Sequence, residues 1–376
     1  MLITRNLPPV IGGMERLLGH VCEALSKRFE TVLIAPRGSR IETLMLDTRT
    51  CVLSPPARFL LCAAVKSAAA ARRYRPRIVI AGSGLTAPIA FVAARLAGAR
   101  YSVYLHGLDI AARARAYRAL FLPAIRRADL VLANSRYTAG RAVDAGVPDG
   151  RIVLLHPGVS LPPKVPEPTE AARRFRERFD VPAGPLLLGV GRLTQRKGFS
   201  AFVRESLPII LQDLPDAQFV IAGEVPAHAA LHSRDEAAAI RAAAHDAGAA
   251  DHVHLIGPLD DTGLSLAWPA ADVHVFPVWS DPDDPEGFGM VALEAAAWGV
   301  PTVAFASGGI TDAVGPGQSG YLVEPGAYHE FAAAVIHAVS ERTTLSSGAR
   351  AFAADFAWTH FEDRLTQALG RLLETV

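Results

Sequence analysis

Fixed positive charge is concentrated in the segment 191–198, Gly-Arg-Leu-Thr-Gln-Arg-Lys-Gly, which follows a strand-like run and precedes a helical pattern. Gly191 permits a tight turn, and the start of the following helix supplies free N–H groups and the positive end of a dipole. Arg192 and Lys197 add two cationic side chains at the same place. The combination predicts a site for a diphosphate, with a solvated basic turn as the alternative. The segment is not a dinucleotide fingerprint, because the third glycine of G-x-G-x-x-G is missing after Gly189 and Gly191.

A second candidate is the segment 286–294, Glu-Gly-Phe-Gly-Met-Val-Ala-Leu-Glu, in which seven residues separate two glutamates. Its two glycines let the backbone approach a ligand closely, and their N–H groups can reach phosphate or sugar oxygens. Carboxylates accept hydrogen bonds from the hydroxyl pairs of a sugar or a ribose. For Glu286, an ordinary acid at a helix start is the alternative. Glu294 lies near the ligand only if its Ala-rich helix begins at the site.

Both segments lie among alternating strand-like and helical runs, which must position them. The strand-like runs are Thr31–Ala35, Arg77–Ala81, Tyr101–Leu105, Leu130–Ala133, Ile152–Leu155, Leu186–Val190, Gln218–Ala222, Val253–Ile256, Val273–Phe276 and Pro301–Phe305. Helical stretches include Met14–Phe29, Ala63–Tyr74 and Thr86–Leu96. Buried strands flanked by helices predict an α/β fold with parallel, doubly wound sheets. Ligands of such sheets bind beyond the carboxyl ends of the strands, so the loops directly after strands should carry the chemistry.

The length of 376 residues predicts two domains, and the Pro-rich segment Pro157–Pro168 is the expected linker. A composition that is half hydrophobic and only 20% charged excludes a disordered or fibrous chain. Three cysteines are too few for a disulfide framework, which favours a reducing compartment. The sequence has neither a signal-peptide pattern nor a run of about 18 apolar residues. We therefore expect a cytoplasmic protein.

Charge is divided unevenly along the chain. Residues 1–160 carry 23 Lys and Arg against 9 Asp and Glu, a net charge of +14, whereas residues 161–376 carry 15 against 28, or −13. Between Arg58 and Arg141 there are 15 basic residues and two acids. No recognised nucleic-acid-binding motif accompanies this charge, so we expect no nucleic acid partner. An anionic membrane surface is the favoured partner, with peripheral attachment at the inner face of the cytoplasmic membrane, and a solvated basic face is the alternative.

The ordered set of motifs resembles glycosyltransferase family 4. After the basic segment come Ala-Asp-Val-His-Val-Phe-Pro at 271–277, the glutamate pair, and Gly-Val-Pro at 299–301. In the first half, residues 8–15 resemble the family's N-terminal glycine loop, and His-Gly-Leu-Asp at 106–109 resembles its histidine loop. The resemblance covers nearly the whole chain. It implies the GT-B fold, in which two Rossmann-like domains face a cleft, and retaining transfer of a sugar from a UDP- or GDP-sugar to an acceptor hydroxyl.

The resemblance also implies a division of labour along the chain. Residues 1–160 would form the acceptor-binding domain, residues 161–355 the donor-binding domain, and residues 356–376 a segment that crosses back to the first. The acceptor is expected to be a lipid-linked sugar or glycan in cell-envelope polysaccharide or glycolipid synthesis. The nucleotide sugar is a substrate, so no cofactor is expected.

Roles for single residues follow from the same resemblance. Arg192 and Lys197 would neutralise the donor diphosphate, so the reaction should be independent of metal. Glu294 would bind the ribose and Glu286 the transferred sugar, and with Arg192 and Lys197 the expected catalytic set includes Glu286 and His106. The remaining expected contacts are Phe288, Gly289 and Met290 with the donor, Gly257 near the base, Gly12 and Gly13 with the diphosphate or acceptor, and His106 with the reacting sugar.

Departures from the family pattern and alternative functions stay open. Residues 156–160 read His-Pro-Gly-Val-Ser where the family often has Asn-Gly-Val-Asp, and the loop 222–226 lacks a second glycine. The acidic run 281–284 contains Asp-x-Asp, which elsewhere holds a divalent metal, but beside a basic site we interpret it as a solvated loop. A non-hydrolysing nucleotide-sugar epimerase of the same fold is one alternative function. A non-catalytic nucleotide-sugar sensor is another.

Overall fold

A computed structural model of the protein describes residues 1–10, 12–39, 47–111, 114–163, 167–225, 235–279, 281 and 284–374. The chain forms two compact units. The first unit comprises Met1–Gly158, Pro282–Phe288 and Trp358–Val376, and the second comprises Val159–Asp281 and Gly289–Ala357. Several residues of the sequence motifs lie outside the described part of the chain, namely Ile11, Arg113, residues 164–166 of the expected linker, Pro226, Pro282 and Asp283.

The first unit is built on a parallel sheet. Its described strands are β1 (Leu2–Ile3), β2 (Val32–Pro36), β3 (Asp47–Cys51), β4 (Ile78–Ala81), β5 (Arg100–Leu105), β6 (Leu130–Ala133) and β7 (Ile152–Leu154). They lie in the order β3-β2-β1-β4-β5-β6-β7, and every neighbouring pair is parallel. Because the order reverses direction at β1, helices can cover both faces of the sheet, as in doubly wound folds.

The helices of the first unit connect these strands. They are α1 (Gly13–Arg28), α2 (Pro56–Tyr74), α3 (Ala87–Ala97), α4 (Leu108–Ala111), α5 (Arg115–Leu120), α6 (Leu122–Arg126) and α7 (Arg136–Asp144), with the last helix of the chain, α17 (Trp358–Glu374). The last helix packs on α1. Lys27 Nζ lies 2.6 Å from a carboxylate oxygen of Glu362, and the rings of His20 and Trp358 stack at 3.6 Å.

The second unit repeats the parallel-sheet architecture. Its described strands are β8 (Leu186–Val190), β9 (Gln218–Ala222), β10 (Val253–Gly257), β11 (Val273–Phe276), β12 (Thr302–Phe305) and β13 (Gly320–Val323), in the order β10-β9-β8-β11-β12-β13. The described helices are α8 (Pro168–Phe179), α9 (Phe199–Glu205), α10 (Leu207–Asp213), α11 (Glu236–Asp246), α12 (Asp261–Ala270), α13 (Met290–Ala297), α14 (Ile310–Ala313), α15 (Tyr328–Ser340) and α16 (Arg342–Ala354).

The burial of strand β8 on both faces explains why its sequence is apolar throughout. Leu186 and Leu188 belong to a core cluster that includes Trp268 of α12, whereas Leu187 belongs to a cluster on the other face that includes Phe219. Successive side chains of a strand point to opposite faces, so both faces of this strand are buried. A continuous apolar run is therefore required.

Most of the predicted strands agree with the structure. Leu130–Ala133, Leu186–Val190, Gln218–Ala222 and Val273–Phe276 have the predicted bounds, and the other six are displaced by one residue at one or both ends. The structure adds β1, β3 and β13, which the sequence pattern did not predict. Strand β1 has two residues, β3 is an edge strand with the polar sequence Asp-Thr-Arg-Thr-Cys, and β13 forms the other sheet's edge.

The structure corrects the predicted start of one helix. Helix α2 begins at Pro56 rather than at Ala63, because proline fits the first turn of a helix, where its missing N–H is not needed. In the expected linker, α8 already begins at Pro168. No helix in the described part of the chain is both long and apolar enough to cross a bilayer.

Candidate active site

The loop that follows β8 carries the predicted diphosphate ligands of the second unit. A short 3₁₀ turn, Gln195–Lys197, leads through Gly198 into α9. Lys197 is half-buried, and its Nζ lies 5.0 Å from the centroid of the Phe276 ring. Phe276 is the last residue of β11 and is fully buried. The ammonium group therefore lies at the carboxyl edge of the sheet, and Arg192 lies in the same loop with an exposed side chain.

The loops after three neighbouring strands are tied together by backbone contacts. Gly191 N donates to Ala222 O at 3.0 Å, and Gly223 N donates to Gly257 O at 2.9 Å. A Cβ on Gly223 would overlap the carbonyl oxygen of Gly191, so this crossing requires glycine. Gly191 and the expected ligand Gly257 are thus held on one edge of the sheet by the loop that contains Gly223.

Helix α13 begins beside the same aromatic ring that Lys197 covers. Gly289 (φ 90°) precedes Met290, the first helical residue, and a Cβ on Gly289 would lie 3.0 Å from Phe276 Cε1. The start of α13, with its free N–H groups and positive dipole end, and the Lys197 ammonium therefore both lie beside the Phe276 ring. Glu294 lies in the second turn of α13 and is half-buried.

The buried His274 packs against the Phe276 ring. His274 is two residues before Phe276 on β11, and their rings stack with centroids 5.4 Å apart. Its Nδ1 lies 3.1 Å from Thr302 Oγ1. Burial, with a smaller contribution from the charge of Lys197, lowers the pKa of His274 to about 3. The ring is therefore neutral at physiological pH and adds no positive charge beneath the lysine.

In the first unit, His106 directly follows β5 and is 7% exposed. Its Nε2 lies 2.8 Å from Gly82 O. A carbonyl oxygen can only accept a hydrogen bond, so Nε2 carries the proton and Nδ1 is left as an acceptor. Nδ1 is buried and has no hydrogen-bond partner among the residues that the structure describes. An unpaired buried acceptor is costly, so this atom suits a hydroxyl donor from a ligand.

Asp109 fixes the backbone around His106. Its Oδ1 accepts a hydrogen bond from His106 N at 2.9 Å, and its Oδ2 accepts one from Gly84 N at 2.8 Å. The Tyr117 hydroxyl donates to the carbonyl oxygen of Asp109 at 2.8 Å. One carboxylate thereby connects the loops that follow β4 and β5.

The described segment 284–288 belongs to the first unit and lies against the histidine loop. A Cβ on Gly287 would overlap the carbonyl oxygen of His106, and a Cβ on Gly107 (φ 101°) would lie 3.0 Å from Gly287 Cα. Two glycines thus allow the two backbones to meet. Glu286, which is half-buried, directly precedes Gly287, so the structure brings the backbones of Glu286 and His106 close together.

The other predicted residues of the first unit occupy separate positions. Phe288 is buried, and its ring lies 5.5 Å from that of His156. Gly12 caps the start of α1 and Gly13 is its first residue. A Cβ on Gly12 would meet only the carboxylate end of the flexible Glu15 side chain.

Two polar residues near the site were not given roles from the sequence. Asp109 clamps the histidine loop, as described above. Asn134 is 5% exposed, and a Cβ on Gly287 would lie 3.0 Å from its Nδ2, so the amide is close to the Gly287 backbone. Asn134 directly follows the strand Leu130–Ala133, so the rule that polar residues after strands form the site would have identified it.

Metal independence stays a prediction. Among the described residues, no group of three or more His, Cys, Asp or Glu side chains is arranged to hold a metal ion. The Asp-x-Asp hypothesis involved Asp281 and Asp283, and Asp283 lies outside the described residues.

Comparison with known proteins gives consistent matches over both halves of the chain. Residues 11–161 match the family described as Glycosyltransferase Family 4, and residues 184–341 match the one described as Glycosyl transferases group 1. A Mycolicibacterium smegmatis protein named GDP-mannose-dependent alpha-(1-6)-phosphatidylinositol monomannoside mannosyltransferase is 30% identical over 339 residues, covering 86% of this chain and 85% of that protein. A D-inositol 3-phosphate glycosyltransferase of Mycolicibacterium vanbaalenii is 34% identical over 257 residues, covering 65% of this chain and 54% of that protein.

Solved structures resemble the whole chain at lower identity. Anabaena HepE in complex with UDP matches with a TM-score of 0.80 at 19% identity, covering 98% of this chain and 99% of that chain. Sucrose-phosphate synthase from Thermosynechococcus elongatus matches with a TM-score of 0.79 at 21% identity, covering 100% of this chain and 99% of that chain. At these identities the likeness concerns the fold.

Proposed function

The chain belongs to glycosyltransferase family 4 and has the GT-B fold, and from this premise we propose that it transfers a hexose from a nucleoside-diphosphate sugar to an acceptor hydroxyl with retention of configuration. The bond between the anomeric carbon and the diphosphate oxygen breaks, and a bond to the acceptor oxygen forms. The acceptor proton leaves with the nucleoside diphosphate. Negative charge grows on that leaving group, so catalysis requires positive charge placed beside it.

One contact supports the proposal most strongly. The Lys197 ammonium lies over one edge of the second unit's sheet, and the start of α13 borders the same Phe276 ring. A fixed cation and a helix N-terminus together form a site for a diphosphate. Arg192, exposed in the same loop, adds a second cation that can close on a bound donor. These groups stabilise the leaving group without a metal.

The two glutamates divide between the two ends of the donor. Glu294 accepts hydrogen bonds from the ribose hydroxyls, since it lies one turn inside the helix that begins at the diphosphate site. Glu286 contacts the transferred sugar. Met290 and Gly289 offer backbone N–H groups to the diphosphate, and Gly257 borders the base.

His106 contributes an acceptor to the reacting sugar. Its Nε2 is occupied by Gly82 O, and its buried Nδ1 can accept a sugar hydroxyl. Asp109 keeps the ring's backbone in place through His106 N. Gly12 and Gly13, at the start of α1, bind the diphosphate or the acceptor.

The relatives indicate which substrates should be tried first. The mycobacterial relative is named for GDP-mannose and a phosphatidylinositol mannoside, so GDP-mannose is the first donor and a phosphatidylinositol-linked mannoside the first acceptor. UDP-glucose is the second donor. Such an acceptor agrees with a role in envelope glycolipid synthesis and with attachment of the basic first unit to an anionic membrane.

The test measures release of nucleoside diphosphate from GDP- and UDP-sugars, with and without lipid-linked acceptors, in buffer that contains excess EDTA. We expect acceptor-dependent release, a product of retained anomeric configuration by NMR, and full rates in EDTA. Interconversion of sugar nucleotides without an acceptor would replace the proposal by an epimerase. Loss of activity in EDTA that Mg²⁺ or Mn²⁺ restores would refute metal independence.

A further inference from the structure

A cavity of about 550 Å³ opens at the amino ends of β4, β5 and β6 in the first unit. Four arginines line it, Arg77, Arg95, Arg100 and Arg127. Arg100 is the first residue of β5, and His106 follows the last one. Six strand residues span about 20 Å, so the cavity and the histidine loop lie at opposite edges of one sheet. The cavity therefore has no part in the proposed sugar transfer.

Two of the four guanidinium groups are held in place. Arg100 Nη1 lies 3.8 Å from Asp129 Oδ1, and Asp129 Oδ2 accepts a hydrogen bond from Tyr101 N at 2.8 Å. Arg127 Nη1 donates to Pro123 O at 2.9 Å, and its guanidinium carbon lies 5.9 Å from the centroid of the Phe91 ring. Cations that are already positioned lose less conformational entropy when they bind a ligand.

The other two guanidinium groups have no such ties. Arg77 and Arg95 are exposed, and neither side chain forms a hydrogen bond or ion pair with any residue in the described part of the chain. Among the described residues that line the cavity, Asp129 is the one carboxylate, which leaves an excess of three positive charges. Several like charges around one cavity repel each other, and a bound anion relieves that repulsion.

Helix dipoles account for only part of this cluster. Arg95 lies in the last turn of α3 and Arg127 directly follows α6, where cations are favoured. Arg77 precedes β4 and Arg100 begins β5, and the backbone hydrogen bond from Arg100 N to Arg77 O (2.9 Å) sets them side by side. Strand ends carry little dipole, so a favourable helix dipole does not explain the positions of Arg77 and Arg100.

We propose that this cavity binds a phosphate-bearing ligand at a site separate from the donor site. The planar guanidinium fork matches phosphate oxygens and forms short, charge-assisted hydrogen bonds with them. Phe91, Ala94 and Leu373 form an apolar wall that can receive the organic part of the ligand. The phosphate belongs to a free metabolite or to a lipid headgroup, which present the same chemistry to the arginines.

The first arm of the test uses inorganic pyrophosphate. Calorimetric titration is done on the full chain carrying Lys197→Ala, which weakens binding at the donor loop, with and without the added pair Arg77→Gln and Arg95→Gln. We expect the pair to weaken pyrophosphate binding at least tenfold. The matched control is Arg37→Gln with Arg58→Gln, which removes two exposed charges of the same unit outside the cavity. Circular dichroism establishes that the variants are folded.

The second arm uses co-sedimentation with phosphatidylglycerol vesicles and the same two pairs in the otherwise unchanged chain. A loss confined to pyrophosphate binding identifies a soluble ligand, and a loss of vesicle binding beyond that of the control pair identifies a lipid phosphate. If the cavity pair changes neither measurement more than the control pair, the proposal is wrong. Sugar transfer is not a readout in either arm, so this result is independent of the proposed function.

Discussion

A single ring nitrogen distinguishes the two roles open to His106. The Nε2 bond to Gly82 is a structural tie within the first unit, whereas the buried Nδ1 has no partner among the described residues. In glutamine the terminal amide approximates the position of Nε2, and in asparagine it approximates that of Nδ1. The two substitutions therefore separate the structural role from the ligand-binding role.

We expect His106→Asn to retain more transfer activity than His106→Gln, because it keeps a polar atom near the sugar. His106→Gln should keep the wild-type melting temperature and lose sugar-dependent kcat. The measurements are kcat, KM and Tm for both variants. The opposite order, with activity following Tm, would make His106 a structural residue.

Lys197→Ala should lower kcat by about 10²–10³, because the lost cation stabilises charge that grows only as the donor bond breaks. Arg204→Ala is the control, since Arg204 is an exposed arginine of α9 a short distance along the chain. Steady-state release of nucleoside diphosphate measures both variants. Equal rates for Lys197→Ala and the control would remove the diphosphate assignment.

The sequence predicted the loops of the site better than the contacts made inside them. Lys197 and Glu294 could be selected as charged residue types in segments that follow strands, whereas His106 was selected because its segment resembles a family motif. The unpaired Nδ1 of His106 could not be predicted, since it depends on where the Gly82 carbonyl lies, 24 residues away along the chain. Asp109 belongs to the His-Gly-Leu-Asp motif, but its bridging of two loops is visible only in the structure.

At the scale of the element, the loops that follow β8 and β9 pass each other at close range at the proposed donor site. Gly223→Ala should displace the loop after β8, because the added Cβ would overlap Gly191 O. A displacement of about 1 Å at a reaction site can cost about 10²-fold in rate. We expect kcat/KM for the donor to fall by that order.

Gly140→Ala is the control for this substitution. Gly140 lies inside α7, and a Cβ there has no heavy atom within 4 Å. It should leave transfer unchanged and stabilise the protein by about 0.4–1 kcal/mol. A Gly223→Ala enzyme with normal kinetics would show that the crossing of the two loops is not needed.

Strand β11 makes the second unit sensitive to acid. Burial lowers the pKa of His274 to about 3 in the folded protein, whereas in the unfolded chain it has the ordinary value of about 6.5. Between these two pH values the unfolded chain therefore binds a proton at this ring and the folded protein does not. Stability is therefore present above about pH 6.5 and is lost as the pH falls toward 3. Between pH 7.5 and 5.5 the loss from this residue should be about 1 kcal/mol.

The measurement is urea unfolding followed by tryptophan fluorescence, to which Trp268, Trp279 and Trp298 of the second unit contribute. His274→Phe keeps an aromatic ring on Phe276 and should abolish this part of the pH dependence. Other titrating groups act equally in both proteins, so the difference isolates His274. Parallel pH profiles for the two proteins would contradict the burial argument.

Strand prediction worked where the strand is a run of mainly apolar residues, and it missed the two-residue inner strand β1 and the edge strands β3 and β13. β8 reads as a continuous apolar run because it lies inside its sheet. β3 is an edge strand with a half-exposed, polar sequence, so no apolar pattern marks it. Its position comes from pairing with β2, which is a long-range property.

At the scale of the whole molecule, charge separation should orient the protein on a membrane. Residues 1–160 carry a net charge of +14 and residues 161–376 a net charge of −13. We expect binding to phosphatidylglycerol vesicles but not to phosphatidylcholine vesicles. Binding should weaken with salt, since the screening length is only about 8 Å at 0.15 M. Co-sedimentation at low and high salt measures this, and equal binding to both lipids would contradict it.

The helix that completes the first unit comes last in the chain. Trp358–Glu374 buries Phe361, Leu365 and Leu369, and its partner α1 lies within the first 28 residues. The whole of the second unit is synthesised between these two helices. On the ribosome, the second unit can therefore finish folding before the first, although domains generally fold in the order in which they emerge. Until translation supplies α17, the nascent first unit therefore lacks the partners that His20 and Lys27 of α1 find in Trp358 and Glu362, and its fold stays incomplete.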